Sequence, residues 1–396
     1  MSAATTAKMN VPIARTSLLP NEVDSVRGPL ESGWLVQGPN VKAFEDKWSA
    51  FTGAAESIAC TSCTTGMHLA AAALDLGPGD EVIVPAFTWI STANIVEHQQ
   101  ATVVFCDIDL ETFNIDTDQM AAKVTDKTVG LLPVHLFGLS ADMDPVNAVA
   151  KEHDLWVIED AACGFGATYR GAHVGTLGTA GAFSFHPRKA ITTGEGGMVT
   201  TQDAALAARI RQLRDHGAIM SDLQRHLGPR PYLLADHTEA GFNQRMTDIQ
   251  GAMGSTQMDR AAEIVAERKR LAQVYIDAFA DLDWLRTTVA PEGYGHGYQS
   301  FPCLFRPEDP TLDNVKAINA QRNDWMEALQ ANGISTRPAT HAVHMLSFYA
   351  DKYGLKPEDF PNAFIANDCS ISLPLFHGMG EDEQAYVIEV VRRGFA

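Results

Sequence analysis

Between residues 81 and 201 the chain alternates short, continuously apolar segments with longer amphipathic ones, and this alternation constrains the fold more than any other feature. EVIVPAF (81–87), TVVFCDI (102–108), VGLLPVHLF (129–137), LWVIED (155–160), GAFSF (181–185) and MVTT (198–201) read as strands. Several are unbroken apolar runs, as in strands buried on both faces. STANIVEHQQ (91–100) and DPVNAVAKEH (144–153) read as helices between them, and an Ala-rich helix at about 65–75 precedes them. The alternation predicts an α/β fold with a mainly parallel sheet covered on both sides. In such sheets ligands bind outside the carboxyl ends of the strands.

The pattern changes towards the C-terminus. Residues 247–282 read as one long helix or two. Beyond about 285 come a loop–strand–loop stretch (GYGHGYQSFPCLFRPED), a helix at about 312–331, a strand at SISLP (370–374) and a last helix at 381–393. This predicts a large domain over 1–262, including an N-terminal segment, and a smaller α+β domain over 263–396. The stretch 218–242 has no clear period and reads as a long loop.

Charge and cysteines exclude several roles. The net charge of −19 disfavours nucleic-acid binding, which needs a basic face, but not a locally bound anion. No apolar run is long enough to span a membrane, and the N-terminus lacks a charged-then-apolar leader, so a cytoplasmic protein is expected. Of the six cysteines only Cys60 and Cys63 form a C-x-x-C. No second pair stands at ligand spacing, so reduced thiols and no metal are expected.

Four segments carry polar groups at strand ends or helix starts. TSCTTGMHLAAAALDLG (61–77) opens a helix with hydroxyls and free N–H groups suited to a phosphate, although an ordinary N-cap has the same look. Trp89 follows a strand and could stack on a flat ring or simply pack in the core. LWVIEDAACG (155–164) ends an apolar strand in Glu159-Asp160, an acid that could hold a proton on a heterocyclic nitrogen or cap a helix. In FSFHPRKAITTGEGG (183–197), Ser184 ends a strand, Lys189 follows five residues on, and Gly194, Gly196 and Gly197 allow a close backbone turn past a ligand. Alone, Lys189 reads as a solvated surface charge. Together and in this order the four describe a pyridoxal 5′-phosphate (PLP) site: a lysine for the aldehyde, an acid for the pyridine nitrogen, an aromatic for the ring and an anion cradle. Lys189 is then the Schiff-base lysine.

The same segments carry a resemblance. ESGWLVQGPNVKAFEDKW (31–48), LGPGDEVIVPAFTWISTAN, VHLFG, VIEDAA, FSFHPRKAITTGEGG, GFNQRMTDIQGAMG and SLPLFHGM resemble, in order and over nearly the whole chain, the DegT/DnrJ/EryC1/StrS family of PLP-dependent sugar aminotransferases. The resemblance implies the aspartate-aminotransferase-like fold (PLP fold type I), with a seven-stranded, mainly parallel sheet in the large domain. It implies Lys189 and Asp160 as catalytic residues, Trp89 on the ring, and Thr64, Thr65 and Ser184 on the phosphate. His186 would lie near the cofactor. Asn243 would reach the phosphate held by a second subunit, giving a homodimer with shared active sites. Cys163 stands where such proteins often carry a glutamine that touches the cofactor, and Cys63 where they often carry a glycine.

By resemblance the donor is L-glutamate and the acceptor a keto-sugar, expected to be a nucleotide-linked keto-deoxyhexose aminated at C3 or C4. Arg337 resembles a residue near the substrate in some relatives and could bind a diphosphate. His341, His344 and Arg188 are further candidates near the substrate; each reads equally as an ordinary surface residue. A keto-cyclitol (inosose) acceptor, a PLP-dependent dehydratase or lyase, and a PLP-binding sensor of the same family are the alternatives. The complete lysine–acid pair and the acidic charge stand against a sensor that binds DNA.

Overall fold

The computed structural model describes residues 8–220, 232 and 234–395, so part of the expected loop at 218–242 lies outside the described residues. Seven strands form the central sheet: β1 (Glu56–Cys60), β2 (Glu81–Pro85), β3 (Thr102–Cys106), β4 (Thr128–Leu131), β5 (Trp156–Asp160), β6 (Ala180–Ser184) and β7 (Gly197–Thr201). Their spatial order is β1-β7-β6-β5-β4-β2-β3. All run the same way except β7, which is antiparallel to both of its neighbours. The sheet is therefore mainly parallel, as expected.

The apolar runs follow from burial on both faces. Along β2, Val82 and Val84 join one apolar cluster and Ile83 another; along β5, Ile158 and Val157 divide in the same way. Ile58, Ala182 and Val199 extend the first face, where the helix Cys63–Ala73 supplies Met67, Leu69 and Ala70. The opposite face is covered by Phe44 and Trp48 of the helix Pro39–Thr52 and by Val146 of the helix Met143–His153. Alternate residues of one strand thus meet different helices.

Three segments depart from the sequence reading. β1 has no clear apolar run, because Glu56 and Ser57 interrupt it; its pairing with β7 buries it nonetheless. The run 129–137 ends as a strand at Leu131, since Pro133 has no N–H to donate and Phe137 takes the left-handed region at φ +59°. The run 81–87 breaks at Pro85, and Phe87–Thr88 pairs instead with His341–Ala342.

Asp248–Gln257 and Ala261–Phe279 are two helices joined by a 3-10 turn at Met258–Arg260, and the expected boundary at 262/263 falls in the first turn of the second. A second, antiparallel sheet follows: β8 (Leu285–Thr287), β9 (Phe301–Phe305) and β10 (Ser370–Leu373), in that order. The helices Val315–Ala331, Pro361–Cys369 and Glu381–Arg392 accompany it. Its Phe301, Leu304 and Ile371 belong to the same apolar cluster as Val82 and Ile158, so one core runs from sheet to sheet. Among the described residues no helix is long and apolar enough to cross a membrane.

Candidate active site

A solvent-open cleft of about 410 Å³ lies at the carboxyl ends of the parallel strands. Asp160 ends β5 and Ser184 ends β6, and both line it. So do Ser62, Cys63 and Thr64 from the turn after β1, Trp89 from the segment after β2, and Cys163, His186, Arg188, Lys189 and Arg337.

The acid pair at the end of β5 divides into two roles because successive side chains point to opposite faces. Glu159, at 0% exposure, accepts from the N–H groups of Gly175 (2.6 Å), Leu177 (2.8 Å) and Gly178 (2.7 Å). It also meets His135 Nε2 at 2.7 Å. His135 Nδ1 accepts from the Ala141 N–H, so Nε2 carries the proton and donates to Glu159. Glu159 is a structural hub with every acceptor site occupied. Glu159→Gln keeps the shape but leaves too few acceptors. It is expected to destabilise the fold by about 3 kcal/mol, read as a lower urea midpoint at unchanged slope.

Asp160, at 3% exposure, faces the cleft instead. Thr92 Oγ1 donates to one carboxylate oxygen at 2.7 Å and the Ala162 N–H to the other at 3.1 Å. Among the described residues no cation pairs with it, so its charge is free to meet a protonated ring nitrogen of a ligand. The Cys63 thiol lies 3.9 Å from Asp160 Oδ1 and 3.3 Å from the Ala182 carbonyl. Burial, and then the charge of Asp160, push that thiol well above its ordinary range, so it stays protonated.

The helix Cys63–Ala73 opens onto the cleft. Ser62 caps it by accepting from the Thr65 N–H at 3.1 Å, while Thr65 Oγ1 accepts from the Ser62 N–H at 2.9 Å. This box occupies the Thr65 hydroxyl, and Thr65 does not line the cleft, whereas Thr64 does. The N–H groups of Cys63 and Thr64, at the first helical positions, have no intrahelical acceptor. Cys63 sits within the helix, where negative φ suits any side chain, so no glycine is required. Of the glycines after the lysine, Gly197 serves this turn, since a Cβ on it would stand 2.3 Å from the Ser62 backbone, whereas Gly194 takes φ +81° and a Cβ on Gly196 would meet the Thr193 hydroxyl.

Lys189 Nζ donates to Cys163 Sγ at 3.1 Å. His186 Nδ1 accepts from the Arg188 N–H at 3.2 Å, and burial, then the Arg188 charge, pull the His186 imidazole below its usual range, which keeps it neutral. Trp89, 55% exposed, stands on the rim with its ring 5.6 Å from that of His341, brought there by the Phe87–Thr88 pairing with His341–Ala342. His341 itself does not line the cleft, and neither does Asn243, which is exposed and bridges to Asp215 through its backbone.

His344 lies at 0% exposure against Phe360, away from the cleft, and neither ring nitrogen has a hydrogen-bond partner. Burial lowers its value from 6.5 to about 4. An unfolded chain therefore takes up the proton first as the pH falls through 6.5, and folded-state stability drops until about pH 4. His344→Leu is expected to recover about 2 kcal/mol of the stability lost between pH 7 and pH 5. Urea melts at the two pH values read this directly.

Two residues that bear on the site escaped the sequence reading. Thr92 is fully buried in the helix Ser91–His98 and reaches the site only through its bond to Asp160, for which its spacing gave no signal. Gln299, from the turn before β9, offered none. Among the described residues no cluster of His, Cys, Asp or Glu could hold a metal ion.

The cleft fits PLP on its own geometry. A buried carboxylate that no cation pairs with among the described residues, an amine 3.1 Å from the Cys163 thiol, hydroxyls and free N–H groups at a helix start, and an exposed indole converge on it. Fold and site together define a PLP-dependent enzyme of fold type I.

A family model described as the DegT/DnrJ/EryC1/StrS aminotransferase family matches residues 17–392. GDP-perosamine synthase of Caulobacter vibrioides is 38% identical over 379 residues, covering 96% of each chain. Spore coat polysaccharide biosynthesis protein SpsC of Bacillus subtilis is 37% identical over 371 residues, covering 94% of this chain and 93% of that protein. Among solved structures, the PLP-form of Spr1654 from Streptococcus pneumoniae superimposes with a TM-score of 0.87 at 26% identity, covering 97% of this chain and 99% of that one. The chain belongs to the DegT/DnrJ/EryC1/StrS aminotransferase family, and it is a PLP-dependent aminotransferase.

Proposed function

We propose that the protein transfers the amino group of L-glutamate to the ketone of a nucleotide-linked keto-deoxyhexose, at C3 or C4. The observation that carries this reading is the presence of Lys189 and Asp160 in one solvent-open cleft of about 410 Å³, within the usual range for a small-ligand site. Arg337 is exposed on its rim, has no carboxylate partner among the described residues, and offers a planar fork to a diphosphate. GDP-perosamine synthase, by its name, concerns a nucleotide-linked sugar.

When bound, PLP supplies the electron sink and the carrier for the amino group. Thr64, Ser184 and the first N–H groups of the helix Cys63–Ala73 hold its phosphate. Asp160 keeps a proton on the pyridine nitrogen. Lys189 takes a proton from the α-carbon of the donor and, in the second half-reaction, delivers one to the keto carbon of the acceptor. Trp89, on the rim of the cleft, would stack on the cofactor ring.

The active unit is a homodimer in this reading. Leu18, Leu19, Val23, Leu30, Leu35 and Val36 are exposed apolar residues within one N-terminal stretch, a surface that a second copy would cover. Asn243, exposed and outside its own cleft, would reach a partner's phosphate in such a dimer. Sedimentation at twice the mass of the chain is the expected result.

The test is incubation of purified, PLP-loaded protein with glutamate and a panel of nucleotide keto-sugars and inososes, read by mass spectrometry. Conversion of ketone to amine on a nucleotide sugar, with 2-oxoglutarate released, is expected. Amination of inososes alone would replace the acceptor, and no 2-oxoglutarate from glutamate would remove the donor.

A further inference from the structure

The segment 185–193 that presents Lys189 has no helix or strand beyond the end of β6, and side chains from distant elements hold its backbone. Gln299 holds it on both sides of the lysine. Its Nε2 donates to the Arg188 carbonyl at 2.7 Å, and the Ala190 N–H donates to its Oε1 at 3.2 Å. Gln299 is fixed in turn. Its N–H donates to the Phe137 carbonyl at 2.9 Å, and the buried guanidinium of Arg268 donates to the carbonyls of Tyr298 and Gln299.

A second amide gives an internal comparison. Gln257 Oε1 accepts from the Thr192 N–H at 3.0 Å and its Nε2 donates to the Thr192 carbonyl at 2.6 Å. Both glutamines therefore make two bonds to the same segment. They differ in what lies between the bonds. Gln257 brackets Thr192, whose hydroxyl turns back onto the Phe185 carbonyl at 2.9 Å. Gln299 brackets Lys189 and also lines the cleft into which the amine reaches.

We propose that Gln299 is a positioning residue: by tying the peptide groups before and after Lys189 it sets where the lysine amine stands. This rests on Lys189 being the working amine. The residue type suits the task. A primary amide carries a donor and an acceptor on one planar, neutral group. A carboxylate there would accept from Ala190 but leave the Arg188 carbonyl without a donor. It would also set a negative charge beside the lysine and favour its ammonium form.

Two readouts test the assignment. The first needs no cofactor: the rate at which trinitrobenzenesulfonate labels Lys189 in the cofactor-free protein, located by peptide mapping and followed against pH. The second is kcat and KM for each half-reaction of the loaded enzyme. Gln299→Ala is expected to lower kcat in both half-reactions by about 10- to 100-fold, with KM nearly unchanged, since a displacement of about 1 Å has that effect on a reacting group. Gln299→Glu is expected to move the labelling profile to higher pH. Gln257→Ala, which loses as many bonds to this segment and one more to the Met253 carbonyl, is expected to lower the urea midpoint without moving that profile. Equal changes in the Gln257→Ala and Gln299→Ala proteins, or unaltered labelling and kcat in Gln299→Ala, would overturn the proposal. Should Gln299→Ala fail to fold, Gln299→Glu, which keeps the Ala190 bond, decides alone: an unmoved profile overturns it. Mapping of borohydride-reduced wild-type protein separates the two readings. A cofactor label on another lysine removes the role of Lys189 itself, whereas a label on Lys189 with an indifferent Gln299 removes only the positioning role.

Discussion

Lys189→Ala is expected to lower transamination by about 10⁴-fold or more, because in the proposed reaction one amine would both hold the cofactor and move the proton. The fold should survive the change. Lys189 makes one side-chain bond, to Cys163, and its backbone N–H donates to the His186 carbonyl whatever the side chain. The loss should fall on both half-reactions, since the same amine serves donor and acceptor. Borohydride reduction of the loaded wild-type protein should leave the cofactor on the peptide containing Lys189, and the variant should carry none there. A variant that turns over near the normal rate would refute the role.

Asp160→Asn should have the next largest effect, about 10²- to 10³-fold on the chemical step, the usual result of removing one preorganised electrostatic partner. The substitution is nearly isosteric, and the amide oxygen can still accept from Thr92 Oγ1. What it would lose is the negative charge that, in the proposed reaction, keeps the pyridine nitrogen protonated. Folding and the urea midpoint should therefore change little while the rate collapses. Full activity in this variant would mean that Asp160 is structural, as Glu159 is, and that the ring nitrogen finds its proton elsewhere.

The contrast between these two neighbouring acids shows how far the sequence could be read. Strand periodicity places Glu159 and Asp160 on opposite faces, but does not say which face is the cleft. That depends on where the segment Gly175–Gly178 and His135 come to lie, and they gather on Glu159. Thr65 is a similar case. Its motif reads as phosphate-binding, yet a reciprocal cap with Ser62 occupies its hydroxyl, and that bond depends on the rotamer chosen once the helix forms. His344, three residues from His341, looks equally available in the sequence and is buried against Phe360 instead.

Some errors were local and had local causes. The run 129–137 is not one regular strand because Pro133 has no N–H to donate and Phe137 turns at positive φ, although Val134 still bridges to Asp160. Strand β1 escaped because a short strand beside β7 is buried by its neighbours more than by its own apolar pattern. The role of Gln299 had no local signal at all. Its bonds join residues more than a hundred positions apart, and nothing in GYQSF distinguishes that amide from a surface one.

The chain alone determined the alternation of strands and helices, the mainly parallel sheet and the order of lysine, acid, aromatic and hydroxyl along it. Those properties follow from periodicity and residue type over a few positions, which short-range sterics and burial impose directly. Tertiary structure alone decided which acid faces the cleft, which hydroxyl is free, which histidine is buried and which amide holds the lysine loop. Each of those outcomes is a contact between distant segments, and side-chain direction at such a contact exists only after the sheet has closed around its helices.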